Sequence, residues 1–539
     1  MKNNDTSNDE AGSAEVSENL EIFDEAACST VPIISDVMAE LDENGWAAAQ
    51  AEVPLCVDLD GTLVKSDTLV DAILLLLRQQ PASALSWAGW MRQGKAAFKQ
   101  QIAARARVDV EHLPWNGPLL AYLREEFARG RRVFLATAAD RLLADQVAGY
   151  LGIFEGVLAS DGTLNLAGGN KLTAFQQRFP AGFTYIGNAM PDRTLLKASV
   201  APMVANPHRA LRAGLRSDGT VIAQTFEDRK STVRVALKAV RLHQWAKNIL
   251  VFLPTILAHD FGANALVASG IAFLSLSFCA SATYVINDLL DIEADRRHSR
   301  KRRRPFAAGD LSPIAGAGIV VAFFAVAFVL ALLVPRAFAA LPGTDGLAFP
   351  LAHPDQFLVW LGLYTVTTLA YSFRLKQMML VDTIVLSGLY TVRILAGSAA
   401  TGVTVSTWLA AFSIFFFLSL AFVKRFSELD LLAASNKTKA SGRGYGTGDM
   451  EQLRSFGTAS AFASVVVLTM YISNLDAANL YLHSTRLWLL VPVLLLWIMR
   501  VWLLASRGHL HEDPVVYAIT DKRSWLLGLV AAAIIWAAL

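Results

Sequence analysis

The sequence predicts a two-part protein, with a cytosolic α/β domain followed by an all-α membrane bundle of about nine transmembrane helices. Of its 539 residues, 54% are hydrophobic and only 17% are charged, and the mean hydropathy is +0.40. Soluble proteins are less apolar and carry about 25% charged residues. Short apolar runs alternate with amphipathic stretches until about residue 240, and long apolar segments follow. This change in pattern divides the chain into its two parts.

The N-terminal segment, residues 1–52, contains thirteen acidic residues and one lysine. Such a composition is typical of a mobile acidic tail. The net charge of +2 gives no indication of a nucleic-acid partner. The three cysteines are scattered, without the spacing of a metal site or a disulfide framework.

The next segment, residues 53–215, is predicted to be an α/β domain with a parallel sheet. The helical stretch from about 67 to 127 would form a cap over one edge of that sheet. Residues 216–240 are expected to be a linker that ends in a basic amphipathic helix over 229–240. The predicted strands are four short apolar runs, Pro54–Val57, Val133–Ala136, Phe183–Ile186 and Pro202–Ala205.

Two carboxylates follow the first of these strands in the run Asp58-Leu59-Asp60-Gly61-Thr62. Carboxylates at i and i+2 after a strand end can share a Mg²⁺ ion while one of them attacks phosphorus. Most such pairs only cap a turn, so the residues that follow later strands matter. These are Thr137, Lys171, Asn188 and Asp192, in that order.

This ordered set resembles the haloacid-dehalogenase-like phosphatases. The resemblance implies that Asp58 is the nucleophile and that Asp60 is the general acid and then the general base. It also implies that Thr137 and Lys171 hold the phosphoryl oxygens, and that Asp192 supports the metal site.

One position departs from the family pattern, because Gly187-Asn188 stands where the family usually has Gly-Asp. The amide oxygen of Asn188 can still bind Mg²⁺ beside Asp58 and Asp60, although with lower affinity. The alternative is a degenerate domain that docks on the membrane part or regulates it.

The segment 241–539 is predicted to span the membrane about nine times, because each apolar stretch is close to the length that crosses about 30 Å of hydrocarbon. Alternate loops are rich in lysine and arginine, so the positive-inside rule places them and the α/β domain in the cytosol. The protein is thus expected to be a multi-pass inner-membrane (plasma-membrane) protein. The stretches are centred near residues 253, 277, 324, 364, 389, 414, 465, 495 and 531.

Three carboxylates at the end of the second stretch, Asp288, Asp291 and Asp295, are spaced to share one helix face. Close carboxylates repel one another unless cations lie between them, and Mg²⁺ carrying a diphosphate would meet that need. The basic run that follows, 296–304, either complements phosphate oxygens or serves only as a topogenic loop.

The pattern from Asn287 to Asp295, together with Arg304-Pro305 and the predicted spans, resembles the UbiA-type intramembrane prenyltransferases over about residues 241–539. That resemblance implies a helical bundle with a polar cavity and Mg²⁺-dependent cleavage of a diphosphate. Members that prenylate aromatic rings usually carry a second aspartate-rich motif, and here only Asp382 stands in that region. The chain looks more like the decaprenyl-phosphate phosphoribosyltransferase branch, with substrate-binding positions at Lys247, Asn287, Arg304, Lys376, Asp382, Arg393, Lys424 and Arg425.

The resulting hypothesis is transfer of 5-phosphoribose from phosphoribosyl diphosphate to a polyprenyl phosphate, with Mg²⁺ in both domains. The fused phosphatase would then remove the 5-phosphate. One alternative is an aromatic prenyltransferase that uses polyprenyl diphosphate at the same aspartates. Another is a membrane scaffold or transporter without enzymatic activity.

Overall fold

The computed structural model describes residues 53–230, 232–339, 354–434, 443–473, 481–510 and 514–539. The predicted acidic tail over residues 1–52 lies outside the described residues.

The N-terminal part is built on a six-stranded sheet in the order β3-β2-β1-β4-β5-β6, in which all neighbours are parallel. Its four central strands are buried on both faces, as in other parallel sheets, between two apolar cores. Its strands are β1 Leu55–Val57, β2 Val133–Asp140, β3 Gly156–Ser160, β4 Thr184–Gly187, β5 Met203–Ala205 and β6 Gln224–Phe226.

Four of these strands coincide with the predicted apolar runs, whereas β3 and β6 were not predicted. β6 lies inside the expected linker over 216–240 and pairs with β5, so the sheet continues as far as Phe226. Two of its three residues are exposed, which removes the apolar pattern that identifies a buried strand.

Eight helices accompany this sheet, and a ninth packs on the C-terminal part. The first four lie between β1 and β2, where the helical cap was predicted. Leu76 of α1 and Ile102 of α3 are fully buried in the same apolar core as β1. The helices are α1 Thr68–Gln79, α2 Ala84–Arg92, α3 Lys95–Arg105, α4 Gly117–Ala128, α5 Arg141–Leu151, α6 Gly169–Arg178, α7 Arg193–Ala198, α8 Arg209–Ser217 and α9 Thr232–Val240.

The C-terminal part is helical throughout its described length. It begins with a 3₁₀ segment over Leu242–Phe252. The α-helices that follow are α10 Leu253–Leu257, α11 Ala263–Leu290, α12 Ile292–Arg297, α13 Pro313–Ala339, α14 Pro354–Phe373, α15 Val381–Thr401, α16 Thr407–Ala434, α17 Met450–Ile472, α18 Leu490–Ser506, α19 Pro514–Thr520 and α20 Lys522–Ala538.

Six helical stretches in the described residues are long and apolar enough to cross a membrane. They coincide with the predicted spans near 277, 324, 389, 414, 465 and 495, so the count of nine is not confirmed. The stretches near 364 and 531 are helices α14 and α20, which are not among the six.

The apolar stretch near 253 is not one long helix, because a 3₁₀ segment gives way there to the five-residue helix α10. Pro254 lies in the first turn of α10, where its missing N–H does no harm. Gly397 of α15 packs directly on this stretch, since a Cβ atom at Gly397 would lie 2.1 Å from the Val251 carbonyl oxygen. The segment therefore packs closely against the bundle as a broken helix.

The two parts are also joined by side chains. Arg296 pairs with Asp71 of α1 at 2.8 Å, and both side chains are buried. The Arg296 guanidinium also donates to Ser66 Oγ at 3.1 Å. A buried pair of this kind is costly to break, because either partner alone would be an uncompensated charge.

Two candidate active sites

The first candidate site lies at the carboxyl end of β1, the edge at which parallel sheets bind ligands. Asp58 follows β1 directly, and its Oδ1 accepts a hydrogen bond from Lys171 Nζ at 2.8 Å. Lys171, on α6, also donates to the Tyr185 hydroxyl at 3.0 Å. Both Asp58 and Lys171 are buried, so the lysine compensates the charge of the carboxylate.

Asp60 is held by the start of the cap. Its Oδ1 accepts hydrogen bonds from the Thr68 backbone N–H and the Thr68 hydroxyl, each at 2.7 Å. The next residue, Gly61, has φ +74°, and a Cβ atom there would lie 2.1 Å from Asn188 Nδ2. Only glycine therefore lets the Asn188 side chain pack on this loop.

The remaining predicted residues lie at the same edge of the sheet. Asp192 accepts hydrogen bonds from the backbone N–H groups of Asn188 and Ala189, both at 3.0 Å, and from the Tyr185 hydroxyl at 2.8 Å. Thr137 is two residues beyond Leu135, which pairs with Val57 in β1. The six predicted positions thus come together, and Tyr185 is an added member that sequence reasoning did not select.

Burial controls the charge of the two catalytic candidates. It raises the pKa of Asp58 to about 6, against the opposing effect of Lys171. Burial and then the nearby Asp67 raise the pKa of Asp60 to about 7. A carboxyl group with such a pKa can hold and release a proton near neutral pH. The carboxylate and amide oxygens of this edge also fit the hard-oxygen preference of Mg²⁺.

The second candidate site is a cavity of about 430 Å³ in the helical part. It is large enough for a small-molecule substrate. Tyrosines, cations and two carboxylates line it, and several belong to helices far apart in sequence. The charged lining residues are Arg241, Lys247, Asp291, Lys301, Arg304, Lys376, Arg393, Lys424, Glu428 and Arg443.

Asn287 and Asp291 offer side-chain oxygen atoms on one side of this cavity. Lys376 Nζ lies between them, 3.2 Å from Asn287 Oδ1 and 3.1 Å from Asp291 Oδ2. Arg78, from α1 of the α/β domain, reaches the same carboxylate at 2.6 Å. Lys376 and Arg78 therefore face this pair of oxygen donors. The amide oxygen of Asn287 and the carboxylate of Asp291 form a donor set that suits a divalent cation.

Asp288 and Asp295 are connected differently from Asp291. Arg304 Nη1 bridges them, at 3.0 Å from Asp288 and 2.6 Å from Asp295. Arg241 also binds Asp288 at 2.7 Å. Neither carboxylate lines the cavity.

This arrangement differs from the expected continuous helix face, since α11 ends at Leu290 and α12 begins at Ile292. Asp291 stands at that break. Its carboxylate contacts Lys376 and Arg78. Asp288 and Asp295 instead contact Arg304, and Asp288 also contacts Arg241.

The predicted cationic positions fall into two groups. Lys247, Arg393 and Lys424 line the cavity, and Arg393 is oriented by Asn248 at 2.8 Å and by the Tyr364 hydroxyl at 3.0 Å.

Asp382 and Arg425, by contrast, do not line the cavity. Arg425 Nε lies 2.7 Å from Asp382 Oδ2 as an ion pair, and the Tyr445 hydroxyl donates to Asp382 at 2.9 Å. Both charged side chains are buried, so this pair supports the helices behind the cavity. The residues that sequence reasoning missed include Arg241, Tyr371, Arg443 and Arg78.

The fold and this cavity define a class, an integral membrane protein with a charged intramembrane cavity and a fused α/β domain. The model of the UbiA prenyltransferase family matches residues 249–527. The chain therefore belongs to the UbiA prenyltransferase family.

Individual relatives match one or both parts. The "Uncharacterized protein y4nM" of Sinorhizobium fredii is 36% identical over 492 residues, which cover 90% of this chain and 91% of that protein. A match of this length extends across both parts.

A decaprenyl-phosphate phosphoribosyltransferase of Mycobacterium tuberculosis is 30% identical over 307 residues, 56% of this chain and 93% of the relative. A solved structure of a UbiA homologue from Archaeoglobus fulgidus bound to DMAPP and Mg²⁺ covers 56% of this chain and 98% of its own, at 14% identity and a TM-score of 0.40.

Proposed function

We propose that the membrane domain transfers 5-phosphoribose from phosphoribosyl diphosphate to a polyprenyl phosphate. We further propose that the α/β domain is a haloacid-dehalogenase-like phosphatase that removes the 5-phosphate from the lipid-linked product. Both sites would use Mg²⁺ and face the cytosol, where the positive-inside rule puts the basic loops. The relatives named as decaprenyl-phosphate phosphoribosyltransferases support the choice of substrates.

The observation that carries the proposal is the charge of the membrane cavity. Among the described residues that line it, eight side chains are cationic and two are carboxylates. A prenyl diphosphate and an aromatic acceptor such as a hydroxybenzoate would bring one diphosphate and one carboxylate into this cavity. Phosphoribosyl diphosphate and a lipid phosphate together bring a diphosphate and two further phosphates, which need the additional cations.

Different residues of the cavity would bind the donor diphosphate and the acceptor phosphate. Lys376 and Arg304 are placed to orient the diphosphate beside Asn287 and Asp291. Asn287 and Asp291 would hold Mg²⁺, which would neutralise charge on the departing diphosphate.

On the opposite side, Lys247, Arg393 and Lys424 hold the acceptor phosphate. The C1–O bond to diphosphate breaks with its electron pair on the diphosphate, and an anionic oxygen of the lipid phosphate forms the new bond to C1. Because that nucleophile is already ionised, the transfer needs no general base.

In the α/β domain, an Asp58 carboxylate oxygen attacks the phosphorus of the 5-phosphate, and Asp60 gives a proton to the departing 5-oxygen. Lys171 and Thr137 bind the phosphoryl oxygens. Water then attacks the aspartyl-phosphate and gives its proton to Asp60, which releases inorganic phosphate and restores Asp58. The lipid-linked ribose is left with a free 5-hydroxyl group.

The first test uses the full-length protein in proteoliposomes with Mg²⁺ and ribose-labelled phosphoribosyl diphosphate. Label is expected in the lipid fraction only when polyprenyl phosphate is present. A second label, in the 5-phosphate, should leave the lipid as inorganic phosphate. Absence of lipid label from folded protein, together with prenyl transfer from polyprenyl diphosphate to a hydroxybenzoate, would replace this proposal by aromatic prenylation.

A further inference from the structure

A second cavity, of about 310 Å³, lies between the α/β domain and the membrane domain. Both domains contribute charged side chains to its lining. Arg78, Arg107 and Asp71 come from the cap side, while Glu293, Arg296 and Arg297 come from α12. The lining holds four arginines and two carboxylates. Three of the arginines are already paired, Arg296 with Asp71, Arg297 with Asp109 and Glu293, and Arg78 with Asp291. The positive charge that would attract an anionic occupant is therefore that of Arg107.

Arg78 stands between this cavity and the transferase cavity. It lines the interdomain cavity, whereas Asp291, which it contacts at 2.6 Å, lines the membrane cavity. The Arg78 guanidinium also donates to the Leu290 carbonyl at 3.1 Å. The Arg78–Asp291 ion pair therefore joins the lining of one cavity to the lining of the other.

Helix α1 connects the two proposed reaction centres. Thr68, its first residue, binds Asp60, and Arg78, in its last turn, binds Asp291. Ten residues of α-helix rise about 15 Å. Helix α1 therefore contacts a carboxylate of each proposed site, one at either end.

Arg107 extends the cationic lining toward the phosphatase side. It is exposed, and no ion pair or hydrogen bond to it is found in the described part of the chain. It also borders a narrower cavity whose lining includes Thr68 and Lys99. Arg107 is therefore available to an anion that moves between Asp291 and Asp60.

We infer that the interdomain cavity is a binding site for a phosphate monoester, and that it receives the 5-phosphate end of the lipid-linked product on its way to Asp58. This inference rests on the proposed function. A volume of about 310 Å³ is at the lower end of small-molecule pockets, which suits a phosphorylated pentose. Opening of the Arg78–Asp291 pair lets the product pass, and Arg107 holds its phosphate.

The experiment follows nascent product in proteoliposomes that contain the full-length protein, Mg²⁺, polyprenyl phosphate and ribose-labelled phosphoribosyl diphosphate. The variant is Arg107→Ala, and the control is Arg92→Ala, which changes an exposed arginine of the same cap outside both cavity linings. Hydrolysis of p-nitrophenyl phosphate is measured in parallel.

Arg107→Ala is expected to transfer ribose and to hydrolyse p-nitrophenyl phosphate at the rates of the unmodified protein. The labelled lipid that still carries its 5-phosphate should rise about tenfold or more at early times, the effect of losing one hydrogen bond to a charged group. Arg92→Ala should leave that fraction unchanged.

Equal fractions in Arg107→Ala, Arg92→Ala and the unmodified protein would overturn the inference while leaving the proposed function intact. A chase provides the second measurement. If unlabelled phosphorylated lipid, added in excess, reduces removal of the 5-phosphate from the labelled lipid in the unmodified protein, the product is released before hydrolysis and the passage is excluded. Absence of transfer or of phosphatase activity in the unmodified protein would instead overturn the proposed function, and the inference with it.

Discussion

Asp58 in the α/β domain and Asp288 in the membrane domain are both buried carboxylates, but they are neutralised in different ways. Asp58 is paired with one lysine, Lys171, at 2.8 Å. Asp288 is paired with two arginines, Arg241 and Arg304. In the α/β domain the charge of Asp58 is therefore compensated by a single cation. In the membrane domain the charge of Asp288 is compensated by two.

The two sites also differ in how they are assembled. Asp58, Asp60 and Thr68 lie within eleven residues of one another, so a short loop after β1 builds most of the acidic side. The membrane cavity takes its charges from segments between Arg241 and Arg443, and Asp291 is contacted from Arg78. We expect the effect of a substitution in the first site to be confined to that site. In the second site, neighbouring charged residues should compensate for part of the effect of a substitution.

The largest expected effect is that of Asp58→Asn. The amide cannot attack phosphorus, so phosphate release should fall by about 10³-fold or more. Ribose transfer to lipid should continue, and the lipid should keep its 5-phosphate. Asp145→Asn, at an exposed carboxylate of the same domain, is the control. Phosphate release that survives in Asp58→Asn would remove the proposed nucleophile.

Asp291→Asn tests the membrane site. It removes a charge that faces Lys376 and Arg78, and ribose transfer should fall by about 10²-fold or more because the diphosphate loses its bound counter-charge. Hydrolysis of p-nitrophenyl phosphate should not change. Asp260→Asn, before the opposite end of α11, is expected to leave transfer unaffected. Unchanged lipid labelling in Asp291→Asn would contradict the assignment of this residue.

Gly397→Ala tests the close packing behind the membrane cavity. Because the new Cβ atom would meet the Val251 carbonyl oxygen, we expect a loss of about 1–3 kcal/mol in stability, measured by thermal unfolding in detergent. Gly388→Ala on the same helix meets nothing within 4 Å. This second variant should be neutral or slightly stabilising, since alanine is more favourable than glycine inside a helix. Equal melting temperatures for both variants would refute the close approach.

The smallest effect is expected for Arg241→Gln. Arg304 still binds Asp288 after this change, so ribose transfer should fall only about fivefold. Lys171→Gln is the counterpart in the α/β domain, and its loss of phosphate release should be larger because Asp58 has no second cation among the described contacts. If the two variants lose activity equally, the proposed difference between the sites is wrong.

The elements that the sequence predicts well are those with a strong local pattern. Strands β1, β2, β4 and β5 are apolar runs, and six apolar stretches form helices that are long enough to span a membrane. β6 lacks that pattern, because two of its three side chains are exposed. β3 contains a short apolar run, Val157 to Ala159, but its side chains are largely half-buried and sequence reasoning missed it. The stretch near 253 is apolar as well, but packing against Gly397 and the proline in α10 make it a broken helix.

The candidate sites show the same limit. Residue types and spacing predicted Asp58, Asp60 and Lys171, which the sheet brings together. Spacing alone placed Asp288, Asp291 and Asp295 on one face, although the helix break at Asp291 gives them different partners. No local pattern identifies Arg78, because its role depends on the cap helix lying against α11.

The junction between the two parts has a consequence for how they are linked. Arg241 has a left-handed backbone conformation with φ +55°, and its side chain binds Asp288. Arg241, which joins α9 to the bundle, is thus fixed both by its backbone turn and by its side chain. The connection is therefore rigid. Lengthening it by a few residues would disturb both the orientation of the α/β domain and the position of the Asp288 carboxylate.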